Sequence, residues 1–149
     1  MDCKIIEKQF KAVGLKGSGA FADFATEVPS LAGQVMSRAK EIQDHINIEV
    51  GFFEQKKGHD HLNGHYYVGL HVSEAPSDVP DGMEYIEDKG QYATIRGSIN
   101  DLGQLHQTLL EWTERHNHTR ATEAYIIETY HPTENGAEEV EIYLPVHPS

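Results

Sequence analysis

Apolar positions in this chain follow two rhythms that alternate along its length. From Lys4 to Lys16, β-branched and aromatic residues are interleaved with charged ones, the period-two pattern of an extended segment. Leu31, Val35, Ala39 and Ile42 then recur at helical spacing, with Pro29 and Ser30 marking the helix start and Gly19 to Ser30 reading as a loop. Ile46 to Gln55 and His65 to Ser73 return to strand composition, joined by the polar stretch Lys56 to Gly64. Met83 to Ile99 is again extended, with a bend expected at Asp88-Lys89-Gly90. Asn100 or Asp101 caps a helix bearing Leu102, Leu105, Leu109 and Trp112, and Ala124 to His131 and Glu139 to Val146 close the pattern as strands.

Each half therefore reads strand, helix, strand, strand. Leu31, Val35, Met36 and Val72 find counterparts 74 residues later in Leu105, Leu109, Leu110 and Val146. Leu15-Lys16-Gly17-Ser18 echoes Ile95-Arg96-Gly97-Ser98 at an offset of 80. The words Glu49 to Glu54 and Glu123 to Glu128 align at 74 through their glutamates. Helices confined to one place in each half, with strands joined by hairpins, predict an α+β fold: a duplicated β-α-β-β unit, an antiparallel sheet, two helices and approximate two-fold symmetry. Glu74 to Gly82, with Pro76 and Pro80, is too short a connector for two independent domains, so residues 1–149 read as a single domain with half-repeats about 1–75 and 76–149.

Charge narrows the function classes. Twelve basic residues against 24 acidic ones leave a formal net charge of −12, which disfavours direct DNA binding, since affinity for phosphate comes from clustered Lys and Arg. A single cysteine, Cys3, excludes an internal disulfide and fits a reducing, cytoplasmic setting. No apolar run approaches the roughly 20 residues of a membrane span, and the charges of the N-terminal segment do not suit a signal peptide. His59-Asp60-His61 with His65, and His116 with His118, match no metal motif of defined geometry, so neither a metal nor a cofactor is expected. No Ser-His-Asp or Cys-His nucleophile word is present either.

The unusual residue is Glu128, in Tyr125-Ile126-Ile127-Glu128-Thr129-Tyr130, where both faces of the strand are apolar or aromatic. A carboxylate there has lost water and needs a partner. Arg96, Arg120 or Lys89 could supply it, or the charge could lie at an edge in solvent. The partner could instead be a ligand cation enclosed by aromatic faces drawn from Tyr125, Tyr130, Trp112, Tyr92, Tyr67 and Tyr143.

Several words in this order carry a family likeness: Val79-Pro80-Asp81-Gly82-Met83, Gly90-Gln91-Tyr92-Ala93, Glu111-Trp112, Glu128-Thr129-Tyr130 and Val140-Glu141-Ile142-Tyr143-Leu144-Pro145-Val146. Together they resemble the GyrI-like small-molecule-binding domain, which also serves as the effector-binding part of AraC-type and MerR-type regulators. The resemblance implies a cleft lined by aromatics and floored by an acid, accepting lipophilic cations. By position it nominates Glu128 for the acid and Glu123 as second candidate, with Trp112, Tyr92, Tyr125 and Tyr143 nearest the cleft. Regulators of this type carry a helix-turn-helix that the repeat leaves no room for here, so a regulatory role would pass through a protein partner. Two alternatives accompany it. One is a hydrolase of electrophilic small molecules, with Glu128 or Glu123 as base and Tyr92 or Tyr125 as donor. The other is a protein-interaction inhibitor of the gyrase-inhibitor type, for which Ala25 and Ala32 offer a dimer face.

Overall fold

The computed structural model describes residues 2–148. The chain runs β1 (Lys4–Ala20), α1 (Phe24–Ser37), β2 (His45–Phe53), β3 (Asn63–Val72), β4 (Glu84–Ser98), α2 (Leu102–Arg115), β5 (Ile126–Pro132) and β6 (Glu138–Val146). All neighbouring strands are antiparallel, and their order β1-β3-β2-β5-β6-β4 closes on itself as β1 pairs with β4 from Lys4↔Thr94 to Gly14↔Glu84. Closure removes the sheet edges that an open six-strand meander would expose.

Each half supplies β-α-β-β, as its periodicity predicts, but the boundaries shift. β1 runs on to Ala20, and α1 starts at Phe24, so most of the expected loop is strand and helix. Pro29 lies inside α1 rather than at its start, forgoing one intrahelical hydrogen bond, while Phe24, Ala25 and Val28 ahead of it gain an apolar surface to pack along. β4 passes Asp88 to Gly90 without a break, because Gly90 stays in register opposite Lys8.

The hairpin registers also correct the internal alignment. Tyr66 and Val140 are counterparts at the offset of 74; Tyr66 pairs with Phe53, and Val140 pairs with Tyr130. Phe53 therefore corresponds to Tyr130, and Gly51, not Glu54, corresponds to Glu128. These two are also directly paired across β2 and β5. The pseudo-two-fold axis thus passes between Glu128 and Gly51, and the missing side chain of Gly51 makes room for the Phe53 ring. A slip of three residues had matched glutamates on opposite faces.

Two packed layers follow from the alternation. Inside the barrel, Phe10, Phe52, Tyr92, Ile127 and Tyr143 are fully buried, with Phe10 edge-on to Tyr143 at 4.8 Å and to Tyr92 at 5.4 Å. Outside, α1 sets Val35 against Val13, Leu70 and Val72, and α2 sets Leu105 and Leu109 against Ile95, Val140 and Ile142. α1 covers β1 and β3, and α2 covers β4 and β6. The outer face of β2 and β5 lies open between the helices.

Candidate functional site

That uncovered face is the floor of a cavity of about 720 Å³. Glu49, Gly51 and Phe53 rise into it from β2, and Glu128 and Tyr130 from β5, with Ile126 beside them. This is the i, i+2, i+4 set of each strand, which one pleat face must share. α1 forms one wall through Phe24, Val28, Ala32 and Met36; Ile99, Leu102 and His106 at the start of α2 form the other. Met36 is 48% exposed, and stands at the solvent side of this apolar wall.

Glu128 is 7% exposed at the centre of the floor. Its Oε1 accepts a hydrogen bond from the Tyr130 hydroxyl at 2.5 Å, and its Oε2 lies 2.6 Å from His106 Nε2. Burial, then the neighbouring Glu128 charge, holds the Tyr130 phenol well above its ordinary range, so it stays a donor. Glu49 is pushed up by burial and then by the nearby Glu138 charge. Three glutamates and one histidine line the cavity, and no Lys or Arg is among its described lining residues.

The cationic side chains that could have neutralised Glu128 are engaged elsewhere or lie outside the cavity. Arg96 pairs with Glu139 at 2.8 Å, Arg120 donates to Gln55 at 2.7 Å, and Lys89 is exposed.

The residues nominated from sequence do not converge on one place. Glu128 is in the cleft. Glu123 precedes β5, is 64% exposed in its side chain and faces His147 at 3.6 Å. Tyr92 and Tyr143 point into the barrel, because their strand parity opposes that of the cleft floor, and burial raises both phenols. Tyr67 and Tyr125 pack against the same interior from its mouth. Trp112 sits in the last turn of α2, stacked on His116 at 4.4 Å and His118 at 5.8 Å, outside the cavity lining. Ala25 and Ala32, read as a dimer face, line the cleft.

At the barrel mouth another polar group forms. His65 Nδ1 is 2.9 Å from Glu54 and its Nε2 is 2.6 Å from the Tyr125 hydroxyl; His61 also reaches Glu54 at 3.2 Å. The His65 backbone N–H donates to the Glu54 carboxylate, and this is the main cause lowering its pKa. Among the described residues no group of three His, Cys, Asp or Glu is arranged to hold a metal ion.

His106 and Glu49 were not singled out from sequence. The available signal for His106 was its place four residues after Leu102, beside the apolar stripe of α2; Glu49 was used there only for alignment.

With a two-helix cleft over an acidic strand pair established, the comparison with known proteins is specific. The profile of the Cass2 family, integron-associated effector binding proteins, matches residues 5–146. The chain belongs to that family. It is a GyrI-like effector-binding domain, and effector binding is its family function. No curated protein matches it significantly in sequence. Among solved structures, the integron cassette protein VCH_CASS2 of Vibrio cholerae is similar at 17% identity and a TM-score of 0.66, covering 97% of this chain and 95% of that one. SAV2435, solved with tetraphenylphosphonium bound, is similar at 14% identity and a TM-score of 0.73, over 99% and 94%. EcmrR, solved in a complex with DNA, is similar at 11% identity and a TM-score of 0.66, covering 99% of this chain and 58% of that one. At these identities the structural likenesses establish the fold. Among the described residues no helix is long and apolar enough to cross a membrane.

Proposed function

We infer that the cleft binds a small lipophilic cation as its effector. The observation that carries this reading is the buried Glu128 carboxylate on the floor of an otherwise apolar cavity without a lysine or arginine in its described lining. Apolar walls provide affinity by burying the guest, and the carboxylate discriminates against neutral or anionic analogues of the same shape. Phe24, Phe53 and Tyr130 supply the aromatic surface, and Glu49 with Glu138 adds negative potential. The likeness to SAV2435, solved with a lipophilic cation, supports the assignment. Any regulatory output passes through a protein partner rather than direct DNA contact, in keeping with the net charge of −12.

The test is a calorimetric titration of wild type and Glu128→Gln with tetraphenylphosphonium. The expected outcome is a loss of about 1–3 kcal/mol in the variant, the scale of losing a buried charged partner. Equal affinities would remove Glu128 from the site.

A second reading draws on the pair of donors at the same carboxylate, Tyr130 and His106. With Glu128 positioning water and Tyr130 donating to a leaving oxygen, the cleft could hydrolyse a strained electrophilic ring. Turnover of such a compound, followed by mass spectrometry, supports that chemistry; recovery of unchanged compound opposes it.

A further inference from the structure

Both Glu128 oxygens are already engaged, one by Tyr130 and one by His106. The two partners differ in their freedom. Tyr130 stands two residues away on the same strand, so its hydroxyl belongs to the floor. His106 projects from α2 with its side chain 37% exposed, and its Nδ1 has no partner among the described residues. His106 also lines a second, smaller cavity of about 170 Å³, walled by Gly103, Leu110, Ile126 and Arg120. The His106 imidazole and Ile126 therefore stand between the cleft and a hollow behind it. Gly103 lies one turn before His106, and a Cβ there would meet nothing within 4 Å.

We propose that His106 is a specificity-determining latch: it occupies Glu128 Oε2 in the empty cleft, and only a guest whose positive charge outcompetes the imidazole moves the ring into the smaller cavity. The inference rests on the cation-binding reading and names the residue that sets its threshold. A neutral guest has nothing to offer Oε2 and leaves the latch closed. Apparent cation affinity is the intrinsic affinity reduced by the fraction of molecules in which the latch is open.

The titratable groups that line the cleft with the ring are Glu128 and Tyr130 on β5, Glu49 on β2 and Glu138 on β6; α1 contributes no titratable side chain to the cavity lining. Across the smaller cavity stands Arg120, whose Nε is buried without a partner among the described residues. The Glu128 carboxylate therefore holds the ring over the cleft, while the Arg120 guanidinium offers it no counter-charge across the hollow.

Titration calorimetry with tetraphenylphosphonium reads each part of the proposal. His106→Leu is expected to bind about tenfold tighter than wild type, because the competing state is gone. Gly103→Leu fills the hollow and binds the cation several-fold more weakly than wild type; adding His106→Leu restores affinity. Neutral triphenylphosphine oxide binds wild type and His106→Leu alike. Cation affinity equal to or weaker than wild type in His106→Leu overturns the latch alone. Failure of all four proteins to bind the cation overturns both the latch and the reading it rests on.

Discussion

The barrel interior and the inter-helix cleft are built from opposite faces of the same strands, yet they treat charge in opposite ways. The barrel's aromatic rings have cations of the same chain beside them: the exposed Lys8 has its Nζ 5.3 Å from the centroids of both Phe10 and Tyr143, and the exposed Lys16 has its Nζ 5.7 Å from that of Tyr67. In the cleft, carboxylates stand over apolar walls with one imidazole and no described lysine or arginine. The barrel is filled, with one Asp88 oxygen buried in it without a partner among the described residues; the cleft is hollow and its floor is acidic. Abundance of aromatic residues does not by itself mark a binding cleft.

Mutations that separate the two regions should order themselves by this difference. The largest effect is expected for Phe10→Ala, which empties the middle of the barrel core and should cost about 3–5 kcal/mol in urea denaturation. Phe24→Ala, on the cleft wall, should cost under about 1 kcal/mol while weakening cation binding. If both variants lose stability equally, the cleft is core rather than site.

A smaller effect concerns protons. Burial raises the Asp88 carboxyl in the barrel, and Glu49 is raised in the cleft. A raised carboxyl binds protons more tightly in the folded state than in the unfolded one, so stability falls as pH rises from the ordinary carboxylate range through the folded value. Asp88→Asn should remove part of that slope, gain under about 1 kcal/mol at neutral pH and leave cation affinity unchanged. Glu49→Gln should also lessen the slope, and it should weaken cation binding at neutral pH. Urea titrations across pH check the first two effects, and calorimetry the last. The smallest effect belongs to Tyr67→Phe and Tyr125→Phe, for which cleft affinity should stay within about twofold of wild type. A larger loss would return the barrel mouth to the binding site.

The repeat, the element types and the burial of Glu128 were legible in the sequence because period and burial are written locally: a carboxylate between apolar neighbours needs explaining wherever its strand pairs. Tyr92, Tyr125 and Tyr143 lie on the barrel side, apart from Tyr130 in the cleft, for a reason of parity. Tyr125 and Tyr143 differ from Glu128 and Ile142 by an odd number of positions along their strands, so pleating turns them inward. Sequence spacing records that relation, but the side facing the cleft is fixed only when α1 and α2 settle on β1/β3 and β4/β6, which single-strand patterns do not encode. The glutamate alignment failed similarly: Glu54 and Glu128 look equivalent as letters, while the hairpin registers make Gly51 the partner. Pro29 misled because α1 begins five residues before it, at Phe24, and runs through it at the loss of one helix hydrogen bond.

The most direct test of the central claim is the position of a heavy-atom cation in crystals of the complex. Soaking or co-crystallising with tetraphenylarsonium and mapping the anomalous signal of arsenic should place the peak between α1 and α2, above Glu128 and Gly51. A peak at the barrel mouth beside Tyr67, Tyr125 and His65, with the cleft empty, would contradict the account.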